Sequence, residues 1–122
     1  MAEIKEIDIK ERQKETVELF KECSPFFVAM GDTIRQQLLL DIGTADELGV
    51  NVNYLGKRVR LSRPAVSYHL KILKDTGLVS TTKIGTQVYY HLSLEKKFST
   101  VKKLVAAIDE LIASKAQSTE QV

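Results

Sequence analysis

The sequence predicts a mainly α fold carrying one small β-hairpin, and three observations lead there. Apolar residues recur at helical spacing from Asp8 to Cys23 and from Leu94 to Ser114, with charge on the opposite sides. Between these lie two short helical stretches, Asn51 to about Arg60 and Ser62 to about Thr76, so close that only a tight turn fits between them. Beyond Gly77 the period becomes that of strands, in LVSTTK and QVYYHL, joined through Ile84-Gly85-Thr86. Helix-turn-helix followed by a hairpin is the winged helix-turn-helix pattern.

Each element has a local reason. In the first helix, residues 8–23, Ile9, Thr16, Val17, Phe20 and Cys23 gather on one side. Ser24-Pro25 reads as a restart, serine as N-cap and proline in the first turn, opening a short apolar helix PFFVAM that stops at Gly31. Asp32 can cap TIRQQLLLDI, which ends at Gly43, and Thr44 to Val50 is a polar connection. Asn51 or Asn53 can cap the next helix. Ser62 caps the one after, with Pro64 tolerated in its first turn and Gly77 as its stop. Residues 51–76 thus form the helix-turn-helix and residues 78–92 the wing, within a single domain over residues 1–122. On the second strand Val88, Tyr90 and Leu92 share one face, Gln87, Tyr89 and His91 the other, where His91 is expected to be exposed. The helix over 94–114 carries a stripe of Phe98, Val101, Leu104, Val105, Ile108, Leu111 and Ile112, and residues 115–122 read as a frayed tail.

Composition narrows the class. A chain of 122 residues with 43% hydrophobic and 28% charged residues is that of a soluble globular protein. No apolar run is long enough to cross a membrane and the N-terminus has no signal-peptide core, so a cytoplasmic location is expected. Cys23 is the only cysteine, which excludes an intrachain disulfide and a cysteine-rich zinc site. The terminal helices, over 8–23 and 94–114, offer more apolar surface than so small a core absorbs. A second copy is the natural cover, met by Val17 and Phe20 on the first helix and by Val101, Leu104, Val105, Ile108, Leu111 and Ile112 on the last.

Charge is unevenly placed. The whole chain is +2, but Tyr54 to Leu92 holds Lys57, Arg58, Arg60, Arg63, Lys71, Lys74 and Lys83 against Asp75 alone. A basic middle between more acidic ends is the footprint of a polyanion partner. With Val66 at the centre of the buried side of the Ser62–Thr76 helix, Leu70 and Leu73 fall within about 40° of it and His69 at its edge. Pro64, Tyr68 and Lys71 lie opposite, flanked by Ser67, while Arg63 stands in the first turn. Arginine can bind guanine O6 and N7 through two parallel bonds, and hydroxyls reach bases or phosphates. The DNA-facing set is therefore Arg63, Ser67, Tyr68 and Lys71, with Ser62 at the cap, Lys57 on the preceding helix, and Lys83 and Gln87 beside the wing tip.

These stretches resemble the bacterial ArsR/SmtB family of winged-helix repressors. Ala29, Met30, Asp32 and Arg35 match its A-L-x-D-x-x-R segment. Leu61, Ser62, Val66, Ser67, His69, Leu70 and Leu73 match L-S-x-x-x-V-S-x-H-L-x-x-L, and Gly85, Val88, Tyr89, Tyr90 and Leu92 match the wing pattern G-x-x-V-Y-Y-x-L. The resemblance implies a homodimeric repressor, paired through its first and last helices, that binds an imperfect inverted repeat in promoter double-stranded DNA.

The chain departs from the family pattern where metal is sensed. The usual Cys-x-Cys is replaced by Asn51-Val52-Asn53, which supplies no thiolate, and the last helix has Asp109 and Glu110 but no histidine. No metal site and no cofactor are expected. Cys23 remains as the candidate redox sensor, against the plainer reading of a small buried apolar residue. An organic ligand, a redox signal or no effector at all is each compatible with the sequence. An enzyme is disfavoured: there is no Gly-rich phosphate loop and no His-carboxylate pair at metal spacing. The alternative is a winged-helix protein-interaction module without specific DNA binding, which the basic, acid-poor surface argues against.

Overall fold

The computed structural model of the chain describes the backbone of residues 2–45 and 48–120 and the side chains of residues 8–45 and 48–116. Seven elements follow in order: α1 (Ala2–Met30), α2 (Thr33–Gly43), α3 (Val52–Val59), α4 (Arg63–Asp75), β1 (Val79–Ile84), β2 (Gln87–Leu92) and α5 (Glu95–Glu120). Contacts divide the chain into two units, Met1–Ser24 with Phe98–Val122, and Pro25–Lys97, each with its own buried side chains.

The expected break at Ser24-Pro25 does not occur, because α1 runs through Pro25. A proline inside a helix costs about 3 kcal/mol through its lost N–H and its clash with the preceding turn. Here the covered positions Ile9, Arg12, Thr16, Leu19, Cys23, Phe26 and Met30 alternate three and four apart without a phase break, and Pro25 faces solvent. One continuous buried stripe outweighs the local penalty. The C-terminal tail is corrected in the same direction. Residues 115–120 are helical, because Lys115, Ala116 and Gln117 are good helix formers and neither glycine nor proline stops them; residues 121 and 122 lie outside the described residues.

In the first unit Arg12 Nη1 donates to Ser114 Oγ at 2.9 Å, joining α1 to α5. Thr16 is buried, and its hydroxyl is satisfied by donating to the Arg12 carbonyl at 2.7 Å. Leu104 is only 2% exposed. Within the single chain it is covered, unlike its stripe neighbour Val105 at 53%, a difference that one-helix periodicity could not supply.

The second unit is built around Leu38, Leu55, Val66, Leu70, Leu73 and Leu78, all fully buried. Burying each is worth about 1.5–3 kcal/mol. Its helices begin as local chemistry dictates. Asp32 Oδ1 accepts from the Ile34 and Arg35 N–H groups at 2.9 and 3.1 Å, Asn51 Oδ1 from Tyr54 N–H at 3.0 Å, and Ser62 Oγ from Ala65 N–H at 3.3 Å. The α3–α4 turn closes with Leu61 N–H donating to Gly56 O at 3.3 Å. After α4, Gly77 takes a left-handed conformation and the Leu78 N–H returns to Leu73 O at 2.9 Å.

β1 and β2 are antiparallel, with Val79 opposite Leu92 and Ile84 opposite Gln87, around the two-residue turn Gly85-Thr86. The first strand begins one residue later than LVSTTK and keeps Ile84. Val50 adds an isolated bridge to Tyr90, with N–H···O distances of 3.2 and 2.7 Å in the two directions. This pairing brings the chain before α3 over the wing, so His91 is half-buried rather than exposed as expected. The arrangement is a winged helix-turn-helix.

Candidate nucleic-acid interface

Helix α4 has two unlike faces, as its periodicity predicts. Val66, Leu70 and Leu73 are fully buried on one, while Arg63, Ser67, Tyr68 and Lys71 are exposed on the other, Tyr68 at 63%. The exposed Ser62 Oγ accepts from the Ala65 N–H and orients the helix start, and its O–H can still donate to a ligand. Arg63, in the first turn, and Lys57, from the last turn of α3, line one open depression of about 320 Å³ together with Val52, Asn53, Gly56 and Leu61. The expected residues Lys57 and Arg63 are thus brought together across the turn.

One base of the seven is withdrawn from this surface. Arg58 Nε lies 3.2 Å from Asp41 Oδ1 of α2, whose carboxylate is only 3% exposed. Gln37 donates to the same oxygen at 2.9 Å, and Asp41 Oδ2 has no hydrogen-bond partner among the described residues. The hydrogen bond to Asp41 raises the Arg58 pKa, holding its charge in place, and the guanidinium lies 5.5 Å above the Tyr54 ring. Lys57, Arg60, Arg63, Lys71, Lys74 and Lys83 are all exposed and form no ion pair among the described residues. That basic, acid-poor surface suits an anionic partner.

At the wing, Lys83 pairs opposite Val88 and Gln87 opposite Ile84, so Lys83 and Gln87 stand on alternate faces of the hairpin and are not brought together. All four are exposed, Ile84 by 50%, which gives the tip an apolar component the sequence reading did not include.

Arg60 is the residue that sequence reasoning missed. It sits at φ 57°, ψ 42°, a left-handed conformation rarely taken by a residue with a Cβ, and caps α3 through its N–H to Gly56 O. Only the tightness of the turn hinted at it. Cys23 is 2% exposed and fills space as a small apolar side chain would. Among the described residues no three His, Cys, Asp or Glu side chains gather as metal ligands would.

Comparisons with known proteins agree with this geometry. Residues 45–81 match the family described as "Bacterial regulatory protein, arsR family". The chain is 28% identical over 95 residues to an uncharacterized HTH-type transcriptional regulator of Methanocaldococcus jannaschii, covering 78% of this chain and 100% of the relative. Among solved structures it is similar to HlyU from Vibrio cholerae, at 30% identity and a TM-score of 0.57 over 69% of this chain and 88% of that one. It is also similar to an ArsR-like transcriptional regulator from Rhodococcus, at 29% identity and a TM-score of 0.69 over 87% and 97% of the two chains.

Proposed function

We propose, from the premise that the chain belongs to the arsR family of bacterial regulatory proteins, that it is a homodimeric repressor reading an imperfect inverted repeat in promoter double-stranded DNA. The chain is a DNA-binding transcriptional regulator and not an enzyme. The observation that carries the finer reading is the two-faced α4. Its inner face is fixed in the core, so its outer face, with Arg63, Ser67, Tyr68 and Lys71, is held rigid for a major groove. The hairpin supplies Lys83 and Gln87 to the flanking backbone or minor groove.

The second copy covers Val17, Phe20, Val105 and Ile112, each about half exposed or more, with the partly covered Val101, Ile108 and Leu111 beside them. Where family members carry a metal-binding Cys-x-Cys, Asn51 caps α3, so a soft metal is not the signal at that position. No described helix is long and apolar enough to cross a membrane, and the site of action is the cytoplasm, where promoter DNA lies.

The test is fluorescence anisotropy of the purified protein on the DNA upstream of its own gene and on a shuffled duplex, across a salt series, with and without zinc, oxidant and reductant. Tight binding to the upstream duplex alone, with a steep loss on adding salt, is expected. Weak and equal binding to both duplexes would leave the interaction-module alternative in its place.

A further inference from the structure

The inner edge of α4 carries a contact that the DNA-facing residues do not explain. Arg35, in the first turn of α2, reaches two other helices. Its Nε donates to Ala29 O at 2.7 Å and its Nη2 to Val28 O at 3.2 Å, two carbonyls in the last turn of α1, of which Val28 O also accepts from the Gly31 N–H at 3.3 Å. Its Nη1 lies 3.2 Å from Nδ1 of His69, on α4. A guanidinium has donors only, so His69 Nδ1 must accept, which requires a neutral ring with its proton on Nε2. One planar cation therefore ties the end of α1, the start of α2 and the recognition helix together.

We propose that Arg35 is a positioning residue for DNA reading, holding α4 through the neutral His69 ring so that Arg63, Ser67 and Tyr68 meet base edges in register. This rests on the DNA-reading function proposed above. The link is proton-sensitive by construction. A proton on Nδ1 removes the acceptor and sets two cations against each other. The carboxylate facing the ring, Asp32, lies 4.0 Å away, and its Oδ1 already accepts the Ile34 and Arg35 N–H groups. From its own helix His69 is faced by the Tyr68 ring, edge-on at 5.3 Å, and Asp32 is the one carboxylate within ion-pairing distance of it among the described residues. A short hydrogen bond is exchanged for a longer ion pair, and α4 is held less tightly.

The experiment uses the full chain. The ratio of affinities for operator and shuffled duplex is measured from about pH 8 to about pH 5.5, the range over which histidines change charge, and the His69 tautomer is read by imidazole nitrogen NMR. The wild type is expected to show the Nε2–H tautomer at the alkaline end and to lose about tenfold in the ratio on acidification, equivalent to about 1.4 kcal/mol. His69→Asn, whose Oδ1 takes the place of Nδ1 and accepts from Arg35 at every pH, should hold the ratio flat; any contribution of His91 is common to both proteins. Arg35→Lys cannot make three directed contacts at once and should show a low, flat ratio. Urea unfolding checks that each variant is folded, and if Arg35→Lys is not, His69→Asn decides. A wild-type ratio that discriminates equally at every pH, a His69→Asn profile that follows the wild type, or an Nδ1–H tautomer would each overturn the positioning role. Absence of discrimination in every protein at every pH would instead sink the DNA-reading function, and this inference with it.

Discussion

Gly49→Ala is expected to cost far more than its single added methyl suggests. Gly49 sits at φ +82°, and a Cβ built there would lie 2.6 Å from Tyr90 O and 2.8 Å from His91 Cε1. The nearest obstacle is backbone, which cannot swing aside as a side-chain end could. A left-handed alanine costs about 1–2 kcal/mol by itself. Relief of the clash would also part Val50 from Tyr90 and weaken two backbone hydrogen bonds, each worth about 1 kcal/mol. The total is about 3 kcal/mol. Gly85→Ala is the control: it is left-handed too, at φ +62°, but nothing lies within 4 Å of its Cβ, so only the conformational part, about 1–2 kcal/mol, should appear. Urea unfolding gives both losses, and hydrogen exchange at the Val50 and Tyr90 amides locates the damage. Equal losses in the two variants, with Tyr90 still protected in Gly49→Ala, would refute the reasoning.

Four further outcomes are expected. Arg63→Ala should weaken operator binding by about 1–3 kcal/mol and spare the shuffled duplex if its contact is bidentate, as paired anisotropy titrations will show. Lys83→Ala should weaken both duplexes alike and reduce the salt slope by about one unit; an unchanged slope would remove Lys83 from the phosphate contacts. Ile112→Asp alters a side chain 62% exposed in the single chain, so folding should survive while sedimentation shows monomer; a persisting dimer would place the interface elsewhere. The Asp32 pKa is lowered, chiefly by the hydrogen bond from the Arg35 backbone N–H. The charge-dependent stability it supplies is complete above the ordinary carboxylate range and is lost as pH falls through the lowered folded value. The stability gap between wild type and Asp32→Asn, whose side chain can still cap the helix, should therefore close in acid, and a gap constant down to about pH 2 would contradict this.

What the sequence made legible is what neighbouring residues decide among themselves. Asp32, Asn51 and Ser62 cap because a short acceptor side chain meets its own helix's N–H groups, and Val66, Leu70 and Leu73 turn inward because one helical period places them together. The failures share a different origin. Pro25 obeys its local rule only until a stripe shared with distant residues overrules it, and His91 is covered because Val50 pairs with Tyr90 far along the chain. Leu104 and Val105 look alike in one helix's stripe, yet one is 2% and the other 53% exposed, since only a second helix tells them apart. The same applies to charge, on which the functional reading depends most. Counting seven bases treats Arg58 as equal to Arg63, but Asp41, buried on another helix, has already taken Arg58. A partner's phosphates would have to win that guanidinium from a carboxylate that is itself costly to leave unpaired. The charge left unpaired for the proposed DNA contact is therefore that of Lys57, Arg63, Lys71, Lys74 and Lys83, together with Arg60, whose left-handed turn position no sequence pattern would have singled out.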